Sequence, residues 1–77
     1  MENFDFRTKD IYLASALITS GYDYLLRKEG IQFSFCFIDK KDAIQIDVDN
    51  YWNGNLLLDP KKVFDAFKQL KTRINDY

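Results

Sequence analysis

The sequence contains no histidine, one cysteine, one proline and three glycines. Without histidine, the chain lacks the usual general base, which excludes Ser-His and Cys-His nucleophilic sites. The single cysteine excludes an intramolecular disulfide, and the scattered carboxylates lack the Cys/His spacing of a structural zinc site. Gly21, Gly30 and Gly54 are isolated, which is typical of turns and helix caps and not of a phosphate-binding loop. We therefore expect no enzyme, no cofactor and no metal.

The charge balance is close to neutral. Eleven Lys and Arg residues oppose twelve Asp and Glu residues, which gives a formal charge of −1 and a pI of about 5.2. A typical nucleic-acid-binding domain has a pI above about 9, so such a partner would need a local basic patch. The charged N-terminus predicts no signal peptide, and the apolar run 11–18 is shorter than the roughly 20 residues that cross a bilayer. We expect one domain, residues 1–77, in the cytoplasm and without membrane contact.

The stretch 8–21 organises the rest of the chain. Positions 11–18 are apolar with one exception, and a segment that is apolar on nearly all sides belongs in a core. Thr8 is the expected N-cap, and Gly21 is the expected left-handed residue after the C-terminus. The pattern predicts a central helix over residues 9–20.

Two apolar runs on either side of Glu29-Gly30 predict a β-hairpin over about residues 22–38. The second run alternates strictly and assigns one face to Ile31, Phe33, Phe35 and Phe37, and the other to Gln32, Ser34 and Cys36. We expect three residues of the first run to join the phenylalanines against the central helix: Tyr22, Tyr24 and Leu26. Residues 4–7 also alternate and are consistent with a further short strand.

Residues 44–49 alternate like a strand, yet apolar residues at 44, 48, 51 and 52 also share one helical face. Three signals favour a helix over residues 40–52, namely an N-cap at Asp39, a first-turn charge at Asp42 and a C-terminal Asn53-Gly54. Residues 55–58 form a short apolar run that suggests an additional edge strand.

Asp59-Pro60 predicts the start of the last helix, because an N-cap residue is followed by proline at the first helical position. Its apolar stripe comprises Val63, Phe67, Leu70 and Ile74, widened by Phe64. Its water-facing residues are Lys61, Lys62, Asp65, Lys68, Gln69, Thr72 and Arg73.

The predicted fold class is therefore α+β. A central N-terminal helix packs on a small antiparallel sheet that is built on the hairpin 22–38, and two C-terminal helices follow. The number of strands stays open between two and four. A free sheet edge in so small a domain would allow pairing into a homodimer or with a partner strand.

Two further features favour structural roles. Cys36 lies in the middle of the strongest strand, where a buried cysteine is far commoner than a nucleophile. A cation site is conceivable among five aspartates of the middle of the chain, but their spacing fits helix caps and a solvated face better: Asp39, Asp42, Asp47, Asp49 and Asp59.

Basic residues occur in small groups. Those of the last helix spread around its polar side, where a solvated face is the simpler interpretation. The alternative nucleic-acid contact comprises Arg7, Lys9, Arg27 and Lys28, with Tyr22 and Tyr24 close by, because rings can stack on bases while cations hold the backbone.

Tyr51-Trp52-Asn53-Gly54 is the most distinctive tetrad of the sequence. We expect at least one of the two rings in the core. If Trp52 completes the core, Tyr51 and Asn53 face outwards, and the edge formed by Tyr51, Trp52 and Asn53 is the candidate partner-binding site.

Several short motifs resemble a family of small bacterial and phage domains of unknown function. They are Phe6-Arg7-Thr8-Lys9-Asp10 with Tyr12-Leu13-Ala14, then Tyr51-Trp52-Asn53-Gly54, then Asp59-Pro60 with Phe64 and Leu70-Lys71. The resemblance spans nearly the whole chain and favours the helical interpretation of residues 40–52. It implies an origin in a bacterium or a mobile element, and it assigns no activity and no functional residues.

The sequence thus supports two functional hypotheses. The first is a non-catalytic protein-binding module of bacterial or phage origin, such as an inhibitor of a host defence protein. The second is a small nucleic-acid-binding accessory protein, which the low pI disfavours.

Overall fold

A three-stranded antiparallel sheet and three helices make up the computed structural model, which describes residues 4–39 and 42–77. The elements are β1 (Phe6–Thr8), α1 (Ile11–Thr19), β2 (Asp23–Glu29), β3 (Gln32–Ile38), α2 (Ile44–Trp52) and α3 (Pro60–Asn75). The strand order is β1-β3-β2. The predicted α+β class is confirmed. The part of the prediction for α2 that falls on residues 40 and 41 lies outside the described residues.

Helix α1 lies at the centre of the molecule, as predicted. Its five consecutive residues from Leu13 to Leu17 are all buried, and α1 packs on α3, α2 and β1. The prediction of Thr8 as N-cap was wrong, because Thr8 ends strand β1 and pairs with Phe35. The cap is Asp10, whose Oδ1 accepts from the backbone N–H groups of Tyr12 at 2.9 Å and Leu13 at 3.2 Å. The helix therefore begins two residues later than expected.

Gly21 ends α1 as the sequence predicts. It has φ +100° and donates its N–H to the Ile18 carbonyl at 3.0 Å, while Tyr22 donates to the Leu17 carbonyl at 3.2 Å. This pair of bonds is the Schellman motif. The motif brings the chain straight from α1 into β2 and places Tyr22 in the core, where it is 4% exposed.

The hairpin turn lies one residue later than predicted. Glu29 still pairs with Gln32, and the two-residue loop consists of Gly30 and Ile31. Gly30 has φ +64°, and a two-residue loop of the II′ type requires a positive φ at its first position. Ile31 consequently lies in the turn, 96% exposed, and its expected place in the apolar row of β3 was wrong.

The inner face of the sheet is formed as expected. Tyr24 pairs with Phe37 and Leu26 with Phe35, and Phe6 of β1 lies on the other side of Phe37. Both Phe35 and Phe37 are almost fully buried. These rings provide the apolar layer between the sheet and the helices.

The outer face of the central strand is buried as well. Ser34 and Cys36 have no exposed surface, although no helix of the described residues packs extensively on this face. Arg7 pairs with Cys36 in β1, and Glu29 pairs with Gln32 in β2, so both lie on the same face as Ser34. Their side chains form an ion pair at 3.3 Å. This pair joins the two flanking strands across β3, at the level of Ser34.

Residues 44–49 are helical, which resolves the ambiguous segment in favour of α2. Asp39 lies before the N-cap position that was predicted for it, but its carboxylate still accepts from the backbone N–H groups of Ala43 at 3.0 Å and Ile44 at 3.1 Å. Asp42 was wrongly placed in the first turn. It lies before the helix with φ +56°, and the acidic residue of the first turn is Asp47. Ala43 occupies the N-cap position.

Residues 55–58 form no strand, which corrects the prediction of an additional edge strand. The end of α2 explains the difference. Gly54 has φ +74°, and Asn55 donates its N–H to the Asn50 carbonyl at 2.8 Å in a second Schellman motif. The chain then runs alongside α1 and α3, where Leu56 and Leu58 are half-buried.

Helix α3 starts where the sequence predicts. The Asp59 carboxylate accepts from the Lys61 N–H at 2.9 Å, and Pro60 occupies the first turn. Leu70 has no exposed surface. Phe64 was expected to widen the buried stripe, but it is 64% exposed because the stripe turns toward α1 through Ala66 and Leu70 instead.

We predict that Leu70→Ala lowers the free energy of unfolding by about 2–5 kcal/mol, because it leaves a cavity in the enclosed layer between α1 and α3. Leu57→Ala is the matched control, since Leu57 is 92% exposed and the same change there should cost less than about 0.5 kcal/mol. Urea denaturation followed by circular dichroism measures both values. Equal effects of the two substitutions would contradict the packing described above.

Candidate protein-binding groove

An apolar groove of about 620 Å³ opens between the helices. Helix α1 forms its floor, the end of α2 and the chain at 54–58 form one wall, and the first half of α3 forms the other. We call it the α1–α3 groove. The side chains that define it are Tyr12, Tyr51, Leu56, Leu58, Phe64 and Phe67. Apolar concave surfaces with few polar groups are typical of binding sites.

Two aromatic residues from distant parts of the sequence shape the groove. The rings of Tyr12 and Phe67 are stacked, with centroids 5.4 Å apart and an angle of 7° between their planes. Tyr12 nevertheless remains 65% exposed. A stacked pair of which one ring stays open to solvent provides a large rigid contact surface at low entropic cost.

One face of α3 lines the groove because of its residue spacing. Pro60, Val63, Phe64 and Phe67 follow each other at the intervals that place side chains on one side of a helix. Phe64 stands at the outer margin of this face. Its 64% exposure makes it an anchor available to a partner.

The three residues of the candidate edge, Tyr51, Trp52 and Asn53, differ in their burial and contacts. Tyr51 is half-buried against the core and lines the groove. Trp52 is 64% exposed, so the option in which Trp52 completes the core was wrong, and Tyr51 takes that place. The two rings meet edge to face at 5.1 Å. Asn53 is exposed and serves as the C-cap of α2, with its N–H bound to the Asp49 carbonyl.

Trp52 points away from the buried face of α2 because it follows Tyr51 directly. Adjacent residues on a helix point about 100° apart, so only one of the two rings can face the core. Tyr51 lies one turn beyond the buried Val48 and two turns beyond the buried Ile44. This alignment decides which of the two rings is enclosed.

A hydrogen bond fixes α2, and with it one wall of the groove, to the end of α1. The Tyr22 hydroxyl donates to Asp47 Oδ2 at 2.5 Å. Burial, and then the bond to the Asp47 carboxylate, raise the pKa of Tyr22 far above its ordinary value. Burial likewise raises the pKa of Tyr51, with a smaller contribution from the Asp10 carboxylate. Both hydroxyls are therefore protonated at neutral pH.

The outer margin of the groove on α3 is basic. Lys61, Lys68 and Lys71 flank Phe64 along one side of the helix. Lys61 lies 3.8 Å from Asp65 in an exposed pair. Lys71 lies 5.9 Å from the centroid of the Phe67 ring. Among residues 4–39 and 42–77, neither Lys68 nor Lys71 forms an ion pair.

The four basic residues of the nucleic-acid hypothesis are not brought to one surface. Arg7 and Arg27 both lie on the outer face of the sheet, but Arg7 is paired with Glu29. Lys9 donates to the side-chain oxygen of Gln32 at 2.6 Å. Lys28 lies on the inner face, opposite Phe33, with its ammonium 6.0 Å from that ring.

The tyrosines that were expected beside these cations lie elsewhere. Tyr22 is buried under α2. Tyr24 is on the inner face, and its hydroxyl accepts from Arg73 at 2.7 Å. Neither ring is available to stack on a base next to Arg27.

The arrangement of the aspartates and of Cys36 gives little support to a cation site or a reactive thiol. Within the described part of the chain, no three Asp, Glu or Cys side chains converge as metal ligands would. Asp39 and Asp59 cap helices instead. Cys36 is fully buried in the central strand, as predicted.

Comparison of the chain with protein-family models, with curated proteins and with solved structures finds no match. Over the two described ranges, every helix is too short or too polar to cross a bilayer.

The sequence analysis missed most of this groove. Tyr12 and Phe67 were each assigned to an apolar helix face, and Leu56 and Leu58 to a strand, because their spatial proximity depends on how α3 crosses α1. Tyr51 is the one residue of the candidate edge that lines the groove, whereas Phe64 was assigned to the buried stripe of α3.

We predict that the free energy of unfolding falls as the pH rises above about 10, the ordinary tyrosine pKa. The unfolded chain releases the Tyr22 proton more readily than the folded chain does, so the stabilisation is complete below about pH 10 and is lost above it. Tyr22→Phe should reduce this slope, and at neutral pH it should cost about 1–3 kcal/mol through the lost bond to Asp47. Urea denaturation over a pH series measures both effects.

Tyr12→Phe is the control at neutral pH, because the exposed Tyr12 hydroxyl forms no hydrogen bond within the described residues. Its effect should stay below about 0.5 kcal/mol. An alkaline slope that is the same in the Tyr22→Phe variant and the unmodified chain would contradict the role given to Tyr22.

Proposed function

We propose that this chain is a non-catalytic protein-binding module that holds an amphipathic helical segment of a partner protein in the α1–α3 groove. The observation that carries this proposal is the combination of an open apolar groove with two aromatic side chains that remain about two-thirds exposed at its margins, Tyr12 at 65% and Phe64 at 64%. Exposed aromatic residues beside a hydrophobic hollow are typical anchors of protein interfaces.

The charges around the groove favour a partner segment with acidic flanks. Lys68 and Lys71 stand beside Phe64 and Phe67 without a carboxylate partner among the described residues. A helix that inserts leucine or aromatic residues into the groove would bring its polar sides next to these ammonium groups. Glutamate or aspartate at those positions gives complementary charges, which steer association and fix the orientation.

The chemical inventory of the chain agrees with a binding role. The sequence has no histidine, and its one thiol is enclosed in the sheet. The motif resemblance to small bacterial and phage domains supports a bacterial setting, and inhibition of a host defence protein is the role we propose there. The nucleic-acid alternative has weaker support, because Lys28 lies on the opposite face of the sheet from Arg7 and Arg27, and Arg7 is paired with Glu29.

We predict that a photo-crosslinking amino acid at position 64 captures a partner protein from bacterial lysate, because this side chain stands at the margin of the groove. The matched control places the same amino acid at Ile46, which is 60% exposed on α2 and lies outside the groove. Mass spectrometry identifies the products. Identical products from both positions, or none from position 64, would contradict the proposal.

We predict that helical peptides with leucines at i, i+3, i+4 and i+7 and glutamates elsewhere bind the chain, while lysine versions do not. Fluorescence anisotropy of labelled peptides measures the affinity. Phe64→Ala should weaken binding by roughly tenfold or more, because it removes an exposed aromatic anchor at the margin of the groove.

Charge reversal separates the basic margin from general charge effects. Lys68→Glu with Lys71→Glu should weaken binding of the glutamate peptides. Lys62→Glu is the control, because Lys62 lies on another side of α3. Equal binding of both peptide classes would argue for a purely apolar ligand and against an acidic partner.

A further inference from the structure

Strand β2 is the longer of the two edge strands, and no further strand of the described residues pairs with its outer side. It has seven residues and forms one end of the order β1-β3-β2, whereas the opposite edge, β1, has three. Its pairing with β3 runs without a break from Asp23 to Glu29, so no bulge bends it. It also contains no proline. Long, regular edges of this kind offer unpaired backbone groups to another strand.

The hairpin fixes which backbone groups of β2 point outwards. In a two-residue hairpin the closing residues, Glu29 and Gln32, exchange hydrogen bonds with each other. Bonding to β3 then alternates along the strand, so Arg27 and Leu25 also bond inwards. The N–H and C=O groups of Tyr24, Leu26 and Lys28 are left to point away from the sheet. No backbone hydrogen bond within the described residues uses these groups.

The side chains of β2 are complementary to a second copy of the same strand. In an antiparallel pair related by a two-fold axis, residues that face each other lie on the same side of the sheet. In the pairing centred on Leu25, Asp23 of each copy faces Arg27 of the other copy. Leu25 faces Leu25 of the other copy. This pairing also sets Tyr24 opposite Leu26, which joins two residues whose backbone groups point outwards. Leu25 is 40% exposed and would be covered.

The neighbouring registers lack this match. Pairing centred on Leu26 places Asp23 opposite Glu29 of the second copy, a contact of like charges. Pairing centred on Arg27 places that residue opposite itself. Directly opposed like charges destabilise a strand pair, and opposite charges stabilise it. Of these three registers, the charge sequence of β2 therefore favours the one centred on Leu25.

We infer that two copies of this chain associate through β2 in the register centred on Leu25, which forms a continuous six-stranded sheet. Asp23 keeps the contacts that it makes within its own chain, because a carboxylate has two oxygens and accepts more than one partner. The interface is small, so it belongs to the weak and concentration-dependent class. No residue of the α1–α3 groove lies on a strand, so this association is independent of the proposed binding function.

Charge reversal on the full chain tests the register. Sedimentation equilibrium over a dilution series should show a species of twice the 9.2 kDa of one chain. Asp23→Arg and Arg27→Asp should each weaken the association roughly tenfold, because two attractive contacts become repulsive. The double variant should restore it. Asp65→Arg and Lys62→Asp are the controls for net charge, since both residues are exposed on α3, and they should leave the association unchanged.

Amide hydrogen exchange provides a test that needs no substitution. In the unmodified chain, the N–H groups of Tyr24 and Leu26 should become protected as the concentration rises, whereas those of Leu25 and Arg27 are protected throughout by β3. A chain that stays monomeric at every concentration would overturn the inference. So would an association that Asp23→Arg strengthens, because that result identifies the register centred on Leu26.

Discussion

The enclosure of α1 is the constraint on which the remaining structure depends. Five consecutive buried residues, Leu13 to Leu17, leave this helix without a solvent-facing side over more than one turn. Every other layer must therefore contact it, and the chain does so with α3 on one side and with α2 and the sheet on others. In a domain this small, a helix that is buried over more than one turn concentrates the limited apolar surface in one place.

The same constraint creates the groove. Ala66 and Leu70 are the buried residues of α3, whereas Val63, Phe64 and Phe67 in its first half are at most partly covered. Tyr12 fills some of this space by stacking on Phe67. The open hollow lies between these partly covered residues, helix α1 and the chain at 54–58.

Local chemistry explains which parts of the fold the sequence could predict. Asp59-Pro60 and Gly21 act through their own backbone geometry, so the start of α3 and the end of α1 were correct. Thr8 and Asp10 are both good caps, and only the pairing of Thr8 with Phe35 decides between them. The turn at Gly30 and Ile31 likewise depends on strand register. The groove could not be predicted, because Tyr12 and Phe67 meet only when two distant helices have packed.

Small residues on the outer face of β3 have a consequence for the architecture of the sheet. Ser34 Oγ is enclosed without a hydrogen-bond partner among the described residues. Enclosing a hydroxyl in this way costs free energy of desolvation that a solvated hydroxyl would not pay. In return, the small side chains on this face of β3 leave room for Arg7 and Glu29 to reach each other from the two flanking strands. The long side chains of the two edge strands thereby meet over the middle strand on its outer face.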